Sequence, residues 1–281
     1  MIHTLRSATT VVTIDRTGAE MTSVVCRGKE RLWQNEDGLW SRHAPLLFPV
    51  CGRCGVTVDG TAYPIKPHGF LRDALFEPVA ESEDSVTLAF SDTPDTRRAY
   101  PFAFTFLVTY TLTAETVTIK TEVRAADRDV PFSLGGHDSF ALDGPVGDYV
   151  LRFPGREELR HLVHDGVGCL TGESVDYGTT DVLPLPADFL REGRTLIFDG
   201  IKNRSVTLET KDGAPVARVD FPDFGRLLVW HPGDSHMICL EPWLNLPDPA
   251  GTPDVPFAEK SGVLIAPAGG SRTVWRSVTY L

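Results

Sequence analysis

Phe102-Ala103-Phe104-Thr105-Phe106-Leu107-Val108-Thr109-Tyr110-Thr111-Leu112-Thr113 is the stretch that decides the fold. Phe102, Phe104, Phe106, Val108, Tyr110 and Leu112 fall on one side of a period-two alternation, the pattern of a strand with one face in a core. After the turn at Ala114-Glu115-Thr116, Val117, Ile119, Thr121 and Val123 carry the same alternation onward. The pair predicts a β-hairpin.

Working outward, the same grammar recurs. Thr57-Val58 and Thr61-Ala62-Tyr63 flank Asp59-Gly60, two residues that tolerate the positive φ of a type I′ turn. Ser205–Thr210 and Val216–Asp220 flank a Lys211-Asp212-Gly213 turn, and the apolar residues near the N-terminus read as a first strand. Further strands are predicted at Val11–Ile14, Met21–Cys26, Val86–Phe90, Tyr149–Phe153, Leu227–Trp230, Met237–Leu240, Val263–Ala266 and Val274–Tyr280. Most of the 25 Gly and 21 Pro lie between these runs, and long amphipathic helical stretches are lacking. About fifteen short strands without a low-complexity linker argue for an all-β protein, a large antiparallel β-sandwich forming a single domain over residues 1–281. The widest irregular stretch, Gly155 to Glu192, is expected to cover one face of the sheets.

Composition narrows the function. With 42% hydrophobic and 23% charged residues, the 281-residue chain has the make-up of an ordinary globular protein. Its 27 Lys and Arg against 38 Asp and Glu give a net charge of −11, and no cluster of four basic residues breaks the excess. Such a chain repels phosphate backbones, so no nucleic-acid partner is expected. No apolar run reaches the roughly 20 residues that a membrane-spanning helix needs, and no membrane partner is expected. Five cysteines, Cys26, Cys51, Cys54, Cys169 and Cys239, without a secretory leader read as reduced thiols of a cytoplasmic protein. The sequon at Asn203 then has no glycosylation role.

The sequence contains no GxGxxG, GxxxxGK[ST], HExxH or GxSxG, so dinucleotide, nucleoside-triphosphate and α/β-hydrolase chemistry has no support. Cys51-Gly52-Arg53-Cys54 has metal-ligand spacing, but a structural zinc site needs a second pair, and none exists. No metal and no cofactor are expected. His161-Leu162-Val163-His164 would place two ligands together on a helix, yet lacks an acidic or thiol companion and reads as a surface or loop segment.

Three segments set ionisable groups among Gly, Pro or aromatic residues at strand ends. They are Lys66-Pro67-His68-Gly69-Phe70-Leu71-Arg72-Asp73, Leu134-Gly135-Gly136-His137-Asp138-Ser139-Phe140 and Met237-Ile238-Cys239-Leu240-Glu241-Pro242-Trp243, the last followed by Pro247-Asp248. A carboxylate ending an apolar strand, as Glu241 does, is costly unless paired or functional. Two histidines and a glutamate can supply acid and base near neutral pH.

The order His68-Gly69-Phe70-x-Arg72, Gly135-Gly136-His137-x-x-Phe140, Leu240-Glu241-Pro242-Trp243, preceded by Pro45-Leu46-Leu47-Phe48-Pro49-Val50-Cys51-Gly52-Arg53, resembles the aldose 1-epimerase (galactose mutarotase) superfamily in its shorter bacterial branch. The resemblance spans nearly the whole chain. It implies a β-sandwich with a sugar cleft across one face, and an isomerase that opens and recloses an aldose ring to exchange anomers. Carried over, Glu241 is the base at the anomeric hydroxyl and His137 the acid at the ring oxygen. His68, Arg53 and Arg72 bind substrate, and Trp243, with Phe70, could stack on the sugar.

Two departures bear on the substrate. Typical members carry an Asn-Arg pair and a His-Gly-Gly where this chain has Gly52-Arg53-Cys54 and His68-Gly69-Phe70. They also carry a sugar-contacting Asp that none of Asp165, Asp176, Asp181, Asp188 and Asp199 matches by motif. The expected partner is accordingly a monosaccharide or a sugar phosphate, since two arginines also suit a phosphate. A hexose-6-phosphate epimerase and a non-catalytic sugar-binding protein stay as alternatives. The chain is expected to be a monomer or a homodimer.

Overall fold

The Phe102 alternation forms the predicted hairpin: Phe104–Thr113 pairs antiparallel with Thr116–Ala125 in unbroken register from Phe104 opposite Ala125 to Thr113 opposite Thr116. Ala114, at φ 54°, makes the turn. Its apolar side, Phe104, Phe106, Val108, Tyr110 and Leu112, is buried. A computed structural model of the chain describes residues 2–192, 194–251 and 255–281.

This hairpin lies near one end of a fifteen-stranded antiparallel sheet. From the opposite end the order runs Leu46–Leu47, Gly135–Gly136, Met237–Trp243, Arg226–Trp230, Thr195–Asp199, Tyr149–His164, Ser205–Thr210, Pro215–Asp220, Ser271–Tyr280, the hairpin, Ser85–Ser91 and Glu77–Glu81. Asp138–Ala141 pairs beside Met237–Trp243, and Leu170–Pro184 beside Tyr149–His164. Sheets this wide curl instead of staying flat. One apolar cluster accordingly joins Phe48, Leu88 and Phe106 to Leu227, Leu240 and Val278, and takes in Leu5, Val12 and Val24 of a four-stranded N-terminal sheet. The architecture is the antiparallel β-sandwich expected from the sequence.

Two expectations need correction. The stretch from Gly155 to Glu192 is not irregular: it is mostly a long hairpin of Tyr149–His164 and Leu170–Pro184, followed by the helix Ala187–Arg191. The second strand pairs on one side only and is exposed almost throughout, so no apolar alternation announces it. His161 and His164 consequently sit on a strand, not on a helix or in a surface loop.

Candidate active site

The strand Met237–Trp243 supplies the floor of a cleft. Its alternation sends Ile238 and Leu240 into the main core, and Cys239, Glu241 and Trp243 to the other face. Glu241 thus ends up 1% exposed among apolar neighbours, facing a cleft of about 360 Å³. Volumes of this order are typical of small-molecule sites.

The neighbouring segment contributes His137. Gly135 and Gly136 precede it because neither position has room for a side chain. A Cβ on Gly135 would stand 2.7 Å from the Trp243 ring, and one on Gly136 2.5 Å from the Arg276 guanidinium. Past them the chain alternates, so His137 enters the cleft while Asp138 turns to the opposite side and makes a bidentate ion pair with Arg276, both fully buried. His137 Nε2 comes to 3.3 Å from Glu241 Oε2. Trp40 stacks on the imidazole, with ring centres 4.8 Å apart and planes 16° from parallel, and Trp230 meets it edge-on at 5.8 Å.

His68 completes the group. It occupies the left-handed region (φ 66°), a conformation costing a non-glycine residue about 1–2 kcal/mol, and Gly69 follows at φ 71°. A Cβ on Gly69 would collide with the Phe48 carbonyl at 2.0 Å, which explains the His-Gly order. The loop is bolted to Gly52: the His68 N–H donates to the Gly52 carbonyl (3.0 Å), and the Gly52 N–H donates to His68 Nδ1 (3.1 Å). Because Nδ1 accepts, the ring proton sits on Nε2. The His68 ring lies 5.8 Å from His137 and 5.4 Å from Trp243.

Burial governs the protonation. It pushes the Glu241 carboxyl well above the usual carboxylate range, partly opposed by the Trp243 indole N–H. It holds His137 well below an ordinary imidazole, helped by the positive charge His68 would bring. Burial, then Arg72, lowers His68 to about 4. His68 is therefore a neutral donor at neutral pH.

The sequence-derived residues meet in one place. His68, His137, Glu241, Arg53, Arg72 and Trp243 all line the cleft. Arg53 stands at the rim, its Nε donating to the Val167 carbonyl (2.8 Å). Arg72 comes from the short helical turn Leu71–Asp73; its buried Nε lacks a hydrogen-bond acceptor, and among the described residues no carboxylate pairs with it. Trp243 is at once a packed core residue, with Leu47, Cys51, Ile197 and Leu228, and a wall of the cleft. Phe70 is the exception: it packs inward against Phe48, Tyr100 and Phe104 and does not reach the cleft.

Several cleft residues escaped the sequence reading. Trp40, Trp230, Ile197 and Leu228 are wall residues, and His164 also lines the cleft. The His164 ring is fixed by donating from Nδ1 to the Asp165 carbonyl (2.8 Å) and accepting at Nε2 from the Thr195 N–H (3.4 Å). Asn245, two residues beyond Trp243, binds both backbone groups of Cys51: its Oδ1 accepts from the Cys51 N–H (2.9 Å) and its Nδ2 donates to the Cys51 carbonyl (3.0 Å). Asp248 accepts from the Gly55 N–H (2.7 Å) and pairs with Lys260 (2.6 Å), closing the same loop.

Cys51 and Cys54 face different surroundings. Cys51 lies against Trp243 and Ser133; Cys54 lies beside Lys260, its thiol pushed up by burial to about 12. Among the described residues the donor set that could hold a cation is His137, Cys239 and Glu241, with ligand atoms within 4.8 Å of one another. Burial keeps the Cys239 thiol protonated and raises Glu241, so a metal would have to displace both protons. Among the described residues no helix is long and apolar enough to cross a membrane.

Comparison with known proteins agrees with this fold. The family model for aldose 1-epimerase matches residues 1–250. The chain is 29% identical to the chromosomal protein LacX of Lactococcus lactis subsp. lactis over 250 residues, covering 82% of this chain and 83% of that one. Among solved structures, a galactose mutarotase-like protein from Lactobacillus casei ATCC 334 superposes with a TM-score of 0.92 at 28% identity, covering 100% of both chains. A galactose mutarotase related enzyme from Lactobacillus acidophilus gives 0.89 at 28% identity, covering 100% of this chain and 97% of that one. The chain belongs to the aldose 1-epimerase family, and with it to the sugar epimerases as a functional class.

Proposed function

We propose that the protein interconverts the α and β anomers of an aldose, with Glu241 and His137 as the proton-transfer pair. The observation that carries this reading is their 3.3 Å separation on the floor of a monosaccharide-sized cleft. Mutarotation moves protons at two oxygens borne by a single carbon, the anomeric hydroxyl and the ring oxygen. Two groups this close can serve both at once.

The pair carries one labile proton in either of its forms, carboxylic acid with neutral imidazole or carboxylate with imidazolium. Burial makes the neutral form the resting one, and the Trp40 face stacked on His137 supports the charged one. In the charged form the Glu241 carboxylate takes the proton of the anomeric hydroxyl while the imidazolium gives its proton to the ring oxygen. The C1–O5 bond breaks, the C1 carbonyl forms, and the pair is left in its neutral resting form. Rotation about C1–C2 and the reverse transfers close the ring on the other carbonyl face and restore the starting proton positions. His68 Nε2–H donates to substrate oxygen, Arg53 and Arg72 bind hydroxyls, and Trp243 offers a ring face. A positioned acid or base is worth roughly 10²–10⁴-fold in rate.

Polarimetry of freshly dissolved α-glucose and α-galactose tests the reading, and equilibration no faster than the buffer rate across a broad aldose panel rejects it. His137→Ala and Glu241→Gln should each remove most of the acceleration from a folded protein. Saturable sugar binding with unaltered equilibration would point to a binding protein instead. A phosphorylated aldose is a second reading, favoured by the unpaired Arg72 guanidinium at the cleft. It requires a preference for hexose 6-phosphate over hexose that weakens in Arg72→Ala; equal rates for the two sugars eliminate it.

A further inference from the structure

Pro247-Asp248 follows closely on the Glu241 motif, and the proton-transfer scheme has no use for it. Pro247 lines the cleft, whereas Asp248 does not reach it. The polar groups of Asp248 instead tie three segments of the chain together. Its N–H donates to the Arg53 carbonyl (2.8 Å), and its carbonyl accepts from the Leu170 N–H (3.0 Å). Its Oδ2 accepts from the Gly55 N–H (2.7 Å) and from the Lys260 ammonium (2.6 Å).

Two of these segments border the cleft. In the loop 51–55, Arg53 lines the cleft, and Gly52 makes the two hydrogen bonds that fix His68. In the hairpin turn 165–169, Val167 and Gly168 line the cleft, and the Val167 carbonyl receives the Arg53 Nε–H (2.8 Å). Val167 is 64% exposed, so apolar packing does little to hold this turn. The third segment is the anchor. Lys260 follows the turn Phe257–Glu259, whose Phe257 is fully buried in the main core, and the Lys260 side chain is itself 8% exposed. A carboxylate bonded to an ammonium and to a backbone N–H makes charge-assisted bonds, about twice as strong as neutral ones.

We propose that Asp248 is a positioning residue for sugar binding. Braced on Lys260, it holds the 51–55 loop against the 165–169 turn, so that the Arg53 guanidinium is presented to substrate hydroxyls. This deepens the mutarotase reading and rests on it for the substrate, adding a residue that acts only through others.

The test measures KM and kcat for glucose and galactose by polarimetry in Asp248→Ala, Arg53→Ala and the double variant. Asp248→Ala should raise KM about tenfold or more, the worth of a hydrogen bond to a charged group. Its kcat should stay within about twofold, the signature of lost ground-state binding. Because the effect passes through Arg53, the double variant should match the weaker-binding single variant, not the product of the two. An unchanged KM, a fall in kcat alone, or full additivity with Arg53→Ala overturns the proposal. Should Asp248→Ala not fold, the isosteric Asp248→Asn, which loses the ion pair with Lys260, is judged by the same criteria. If the unaltered protein equilibrates no sugar, the mutarotase reading fails, and hydrogen exchange decides the rest. Faster exchange of the 51–55 and 165–170 amides in the variant upholds the brace, and unchanged exchange removes it.

Discussion

Replacing Glu241 by Gln should change the shape of the protein's stability against pH, by an amount set by proton counting alone. Burial holds the Glu241 carboxyl well above its ordinary 4.5 and the His137 imidazole well below its ordinary 6.5. The folded pair therefore keeps one proton throughout the interval between. The unfolded chain carries two on these residues below pH 4.5, one from 4.5 to 6.5, and none above. Each proton of difference tilts stability by about 1.4 kcal/mol per pH unit. Below 4.5 the unfolded chain holds the extra proton, so lowering the pH favours unfolding; above 6.5 the folded chain holds it, so raising the pH favours unfolding. Between them the pair's contribution is flat. In Glu241→Gln only His137 titrates, and the loss above pH 6.5 disappears. Above pH 6.5, for as long as the folded carboxyl keeps its proton, the unaltered protein should lose about 1.4 kcal/mol per pH unit relative to the variant. Urea unfolding followed by tryptophan fluorescence at pH 6.5, 7.5 and 8.5 measures this, and contributions from other groups cancel in the difference. A difference that stays constant over those two units would mean that Glu241 is already ionised when folded, and the proton inventory of the proposed mechanism would be wrong.

The same two shifts predict a bell-shaped rate profile whose acid limb, from His137, lies well below 6.5 and whose alkaline limb, from Glu241, lies well above 4.5; an acid limb near pH 6.5 in stopped-flow polarimetry would contradict the burial of His137. Asn245→Ala leaves the Cys51 N–H and carbonyl without their partner, and at about 1–3 kcal/mol for a buried polar group left unpaired the urea midpoint should fall clearly. Gly69→Ala forces a methyl group against the Phe48 carbonyl in a left-handed conformation, which displaces His68. It should raise the sugar KM and lower stability together, and a variant with unaltered KM would show that His68 does not contact substrate.

Much of the fold was legible because its strands are half-buried. The Phe104–Thr113 and Thr116–Ala125 hairpin announces itself by alternation, and Asp59-Gly60 by the positive φ both residues adopt (50° and 75°). The long hairpin after Tyr149 was not legible, for two opposite reasons. Its outer strand has water on nearly every side, while the buried face of its inner strand carries Glu157 and His161 in place of aliphatics. Glu157 is tolerated because it accepts from the Lys202 and Asn203 backbones and from the Asn203 side chain, a constellation formed only after folding. In the site, Glu241 and His137 stood out because a charge closing an apolar strand and an imidazole after two glycines are conspicuous on paper. Trp40, Ile197 and Leu228 are ordinary apolar residues until the chain folds, and Phe70 matched a motif while its ring turned inward.

The paired glycines before His137 separate two kinds of damage. A methyl group on the first presses toward the cleft-lining indole of Trp243, and one on the second presses toward the ion pair that anchors the sheet from behind. Neighbouring positions in one short strand thus report on different things, the first on turnover and the second on thermal resistance. Anyone retuning this enzyme's specificity would do well to leave that ribbon bare and work at the rim, where Val167 and Arg53 meet solvent.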